Sequence, residues 1–196
     1  MWLHILVPGL AKIRARYPDL DIMLNVTQAN LNLARSDADI ALRLAEPEPD
    51  TGLVAFRVAA LDYHLYASRD YMESRKAEDF QYIGYPTTHE DWLEHKAIAA
   101  AAQGRRFALR TNHLGSRITA TRSGIGISLL PRVMAEIWPE LVQISDDDVA
   151  MQRTMYLIVH ETACGHATHQ SLHGRVDRSA QDCGVGSRLK VGDAWR

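Results

Sequence analysis

At 196 residues the chain accommodates one large domain or two small ones, and its 46% hydrophobic content is enough for an ordinary core. No apolar run approaches the roughly 20 residues that span a bilayer, so a membrane protein of the helical kind is excluded. A formal net charge of -2, with Lys and Arg spread along the chain, excludes a surface built to neutralise nucleic-acid phosphates. The N-terminus shows no charged region followed by an apolar run and a small-residue cleavage site, so no secretion signal is read. Cys164 and Cys183 do not make a disulfide framework, and a cytoplasmic, reducing setting is expected.

Leu3, Leu6, Val7, Leu10, Ile13 and Tyr17 recur at spacings of three and four, which predicts a helix that Pro18-Asp19 stops. Leu20, Ile22, Leu24 and Val26 alternate with polar or flexible residues and predict a half-buried strand. A short helix over Leu31 to Arg35 leads to an apolar strand over Asp39 to Leu44. The segment AEPEPDTG, Ala45 to Gly52, is a surface connection. Leu53 to Val58 and Tyr63 to Ala67 read as the next strands, followed by a helical turn opened by Ser68 or Arg69. Lys76 to His95 has weak periodicity and reads as mostly irregular, with a short helix over Glu90 to His95. An alanine-rich stretch, Ala97 to Ala102, stops at Gly104. Phe107 to Thr111 is a strand and His113 to Ser123 a helix, with Gly124 just past its end. Ile125 to Leu130 is a buried strand, and Pro131 opens another helix. Leu141 to Ile144 and Met155 to His160 are strands; a helix over Ala167 to Gln181 and a frayed tail from Gly184 follow. Helix–strand alternation of this kind indicates α/β architecture with parallel strands.

The order and spacing of particular pieces carry more than any one of them. YPDLDIMLNV, LARSDADIALRLAEPEPDTGLVAF and LDYHLYASRDY follow one another between Tyr17 and Tyr71. Arg110-Thr111-Asn112, a helix, and SGIGISLLP (Ser123 to Pro131) come later. This cadence resembles the effector-binding domain of LysR-type transcriptional regulators, without the helix-turn-helix that precedes it in full-length members.

The resemblance implies two Rossmann-like α/β lobes joined by a double crossover, similar to type 2 periplasmic binding proteins. Lobe one is then residues 1–64 plus 157–196, and lobe two residues 65–156. Family members open the domain with a strand of the form GxLRIG; here the first strand of lobe one is expected to be missing. The resemblance also implies a small, anionic effector held between the lobes by strand ends and helix starts, in keeping with the general behaviour of open α/β sheets. Carried over by segment, the effector-binding candidates are Thr27, Gln28, Leu44 and Ala45, with Thr111 and Asn112 across from them. Ile125 and Gly126 begin the strand opposite Thr111 and Asn112. The bland reading of Asn112 is a helix N-cap. Side-by-side pairing into a homodimer or tetramer is implied, with the Leu3 to Tyr17 and His113 to Ser123 helices as its candidates. DNA would be reached only through a helix-turn-helix outside this sequence.

Other chemistries fit less well. Ser123-Gly124-Ile125-Gly126 contains G-x-G, but the order is helix, glycine, strand, so a helix C-cap is expected rather than a dinucleotide site. His160, Cys164, His166, His169 and His173 cluster beside Glu161, yet no second ligand pair at structural-zinc spacing completes them. No cofactor or metal is expected. No G-x-S-x-G elbow is present, Ser128 lies in an apolar strand, and Asp146 to Asp148 reads as a solvated turn, so no enzyme is expected. Rival readings are a stand-alone solute-binding protein and a truncated regulator that no longer senses.

Overall fold

The computed structural model describes residues 3–26, 38–48, 51–144 and 151–161. Thr27, Gln28, the 31–35 helix, most of the histidine cluster and the 167–181 helix lie outside the described residues. The chain divides into two compact units, residues 1–59 with 154–196 and residues 60–153. Each is taken by itself.

Unit one begins with α1, Leu3–Arg16. Pro8 lies inside it and removes one backbone donor from an early turn. The helix ends where expected: Tyr17 donates back to the Ile13 carbonyl, and Leu20 to Tyr17, closing the turn at Pro18-Asp19. The segment 20–26 then departs from expectation. Its alternating pattern predicts a strand, but it enters no ladder among the described residues, and Met23 (86% exposed) and Val26 (64%) face solvent. Alternation makes a strand only when a neighbour satisfies the backbone groups. Strand β1, Ile40–Arg43, does find one. It pairs antiparallel with β7, Met151–His160, with Ile40 opposite Val159 and Arg43 opposite Tyr156. Tyr156 and Ile158 form a small core with Ala38, Ala41, Leu53 and Ala55.

Strand β2 is one continuous run, Leu53–Ser68, where the sequence suggests two strands. Asp62 interrupts the apolar pattern but not the strand, and its side chain accepts from Gln152 Nε2 at 2.8 Å. Both β2 and β7 pass from one unit into the other.

In unit two, β2 pairs antiparallel with β5, Ile127–Pro131, and with β6, Leu141–Gln143. Ser68 caps the short α2, Arg69–Glu73, by accepting from the Tyr71 amide. Strand β3, Tyr82–Gly84, falls in the stretch that reads as irregular. It is too short to show a period, yet all three residues are buried, and it pairs in parallel with β4, Phe107–Arg110, and with β5. The sheet of unit two is mixed, ordered β2-β5-β3-β4 with β6 on β2. The expected α/β fold is therefore present with fewer parallel neighbours than the alternation suggested.

Helix α3, Leu93–Ala102, joins what reads as a short helix and a separate alanine run. Alanine is the best helix former, so the run propagates what Trp92 begins. It stops on Gln103, whose φ of 48° is left-handed, just before Gly104. Helix α4, Leu114–Arg122, ends in a Schellman arrangement: Ile125 N–H donates to Ala120 and Gly124 N–H to Thr121, with Gly124 at φ 72°. The G-x-G is a helix stop, as its order predicts. Helix α5, Arg132–Ala135, follows β5. Ile83, Ile98, Leu114, Leu129, Leu130 and Met134 form the buried centre, each stabilising by about 1.5–3 kcal/mol.

Candidate functional site

The parallel strands β3 and β4 run in the same direction, so their carboxyl ends fall together at Tyr85 and Thr111. The backbone stitches that edge: Thr111 N–H donates to the Gly84 carbonyl at 2.9 Å, and Arg110 Nη1 to the Tyr85 carbonyl at 3.0 Å. Thr111 Oγ1 accepts from the His113 amide, turning the chain into α4. The N-cap of α4 is His113, not Asn112: its Nδ1 accepts from the Ser116 amide at 3.2 Å. Thr111 and Asn112, both half-buried, are thus held at the strand-end corner without being used as the cap.

Beneath this corner lies a buried polar group that sequence reading did not find. The Arg117 guanidinium stacks 4.1 Å from the Tyr85 ring centroid and donates through Nη1 to the Thr111 carbonyl at 3.3 Å. Glu94 is buried in the first turn of α3, where the helix dipole favours a carboxylate, and receives Arg153 Nη1 at 2.6 Å. Tyr63 from β2 completes the set. Burial pushes its phenol up to about 12, helped by the Glu94 charge and opposed by Arg117 and Arg153. Burial likewise raises the Tyr85 phenol, chiefly against Arg117. Arg117 moves the other way: burial lowers it, with Tyr85, Tyr63 and Glu94 opposing the shift. The signal for these residues is in the helical period. Leu114, Arg117, Ile118 and Thr121 share one buried face, and so do Glu94, Ile98 and Ala102. A charged residue at a position the period assigns to the core marks a site.

The other sequence candidates lie elsewhere. Ile125 and Gly126 do not face Thr111 and Asn112; they precede β5 at the amino ends of the parallel strands. The geometric reason for Gly126 is contact: a Cβ there would stand 2.6 Å from the Gln81 carbonyl oxygen. Leu44, half-buried, and Ala45, exposed, follow β1 in unit one. At the same amino-terminal edge as Gln81, Arg75, Lys76, Arg105 and Arg106 share an open groove of about 800 Å³ with Glu78 and Asp79. Its walls are mostly exposed and of mixed sign, whereas Arg117 and Glu94 are buried.

Among the described residues no group of three His, Cys, Asp or Glu side chains could hold a metal, and no helix is long and apolar enough to cross a membrane.

Comparison with known proteins agrees with this architecture. The Mau operon transcriptional activator of Paracoccus denitrificans is 28% identical over 128 residues, covering 65% of this chain and 44% of that protein. The solved structure of CrgA, a LysR-type transcriptional regulator from Neisseria meningitidis, superposes with a TM-score of 0.67 at 21% identity, over 100% of this chain and 66% of that one. The regulatory domain of CcmR from Synechocystis PCC6803, in complex with 2-PG, gives 0.61 at 16% identity, over 87% and 86%. The curated relatives are described as transcriptional activators or regulators, not enzymes, and the chain spans between 25% and 54% of their length. A family model described as the LysR substrate binding domain matches residues 1–179, and the chain belongs to that family.

Proposed function

We propose that this chain is the sensing part of a cytoplasmic LysR-type regulator and binds a small anionic metabolite at the carboxyl ends of β3 and β4. The observation that carries this reading is the corner itself. Thr111 and Asn112 sit half-buried where two parallel strands end and α4 begins. Helix starts and strand ends of this kind favour anions, and the buried Arg117 guanidinium places a positive charge behind the corner. The related CcmR regulatory domain in complex with 2-PG supports a ligand-binding role for the fold.

In this reading the ligand favours one of two arrangements of the domain, and oligomer contacts pass the change to DNA-binding domains. Self-association into a dimer or tetramer involves α1, where Val7 is 47% exposed. The exposed 20–26 segment favours a second reading, oligomerisation without sensing.

A thermal-shift screen of the purified chain against organic acids, amino acids and sugars tests the proposal, with light scattering on the same sample. A ligand at 100 times its Kd adds about 2.7 kcal/mol. Stabilisation by one class of acid, lost in Thr111→Val or Asn112→Leu, is the expected result. Thr27, Gln28, Leu44, Ala45, Ile125 and Gly126 enter the same scan as candidate contacts. A sharp melt indifferent to every compound contradicts sensing and leaves self-association as the function.

A further inference from the structure

We infer that Arg117 is the residue that selects an acidic ligand, its guanidinium taking the ligand's carboxylate beside Thr111. The inference rests on the binding corner proposed above and names the group that gives it specificity. Arg117 is only 4% exposed, on the face of α4 that Leu114, Ile118 and Thr121 bury. Its Nε has no hydrogen-bond partner. Its Nη1 donates to the Thr111 carbonyl at 3.3 Å, beyond the ordinary range for such a bond. The Tyr85 ring lies against it, which attracts the cation without neutralising it. The nearby carboxylate, Glu94, is held by Arg153 at 2.6 Å.

A buried guanidinium left short of acceptors is costly, and a hydrophobic side chain of similar size would fold better there. What the guanidinium offers in exchange is a fork. Nε and one terminal nitrogen donate side by side, which matches the two oxygens of a carboxylate. The contact from Nη1 to Thr111 lies on the other edge of the guanidinium and can remain. Nε is closed to solvent in this structure, so capture requires the surrounding groups to give way. Association is then slower than simple docking. Burial already holds this guanidinium below its usual pKa range, and an arriving anion would reverse that cause.

The test compares the parent chain with Arg117→Met and Arg117→Lys, probed with succinate and benzoate and with their neutral amides. The parent is expected to be stabilised by a carboxylate and not by the matching amide. Arg117→Met is expected to melt at the same temperature or higher without ligand, and to bind that carboxylate about tenfold to a hundredfold more weakly. Arg117→Lys keeps the charge but loses the fork and should fall between the two. If Arg117→Met keeps the parent's affinity, the inference fails and the binding corner stands. If Arg117→Met melts well below the parent and Arg117→Lys binds as the parent does, the arginine is structural and the inference fails. If the parent responds to neither carboxylate, the corner and the inference fail together.

Discussion

Replacing Glu94 by Ala tests the buried charge network most severely. The Glu94 side chain is 9% exposed and that of Arg153 18%, with 2.6 Å between their charged atoms. Removing the carboxylate takes from Arg153 its 2.6 Å partner and from the sealed Arg117 a nearby negative charge. Breaking a buried pair in this way costs about 3–5 kcal/mol. Arg153 retains some access to water, which places the expected loss at the lower end, about 3 kcal/mol. For a chain of this size that lowers the melting temperature by roughly 6–12 °C. Differential scanning calorimetry at fixed protein concentration and neutral pH measures it. The double variant Glu94→Leu with Arg153→Met should recover most of the loss, because the pair, not the shape, is what the single change breaks. A Glu94→Ala variant within about 0.5 kcal/mol of the parent would refute the network as described.

Three further outcomes are expected. Gly126→Ala should destabilise by about 1–3 kcal/mol, since the new methyl would meet the Gln81 backbone at 2.6 Å; a parent-like urea midpoint would show that the backbone yields freely. Tyr63 carries a folded pKa of about 12 against 10 for an open phenol, so its stabilisation is complete below pH 10 and is lost as pH rises from 10 to 12, about 3 kcal/mol in all. Phenolate absorbance and unfolding followed together check this, and Tyr63 titrating near 10 in the folded chain would contradict it. Met23→Lys should change stability by no more than about 0.5 kcal/mol because the side chain is 86% exposed, and a loss above about 1 kcal/mol in urea unfolding would show that the 20–26 segment is covered in solution.

Much of the fold was legible because its signals are local. The apolar spacing of α1, the glycine stop of α4 and the apolar runs of β1, β5 and β7 each show a period or a breaker within a few residues. The failures are non-local. Strand β3 is three buried residues made into a strand by β4 and β5, and nothing inside Tyr82–Gly84 announces that. Residues 20–26 fail the other way, with a strand's alternation and no partner among the described residues. Thr111 and Asn112 are candidates carried over from the family resemblance, and they fall between a strand and a helix. Tyr63, Tyr85, Glu94 and Arg153 come from four separate elements and meet only in the folded chain. Arg117 and Glu94 left a trace in the pattern, each as a charge at a helical core position.

The measurement closest to the central claim is an amide NMR titration of the chain with the acid that stabilises it most. Saturable shifts that cluster at Tyr85, Thr111, Asn112, His113 and Arg117 are predicted. Shifts confined to other residues, or none at saturating acid, would contradict the claim that this corner senses a small anion.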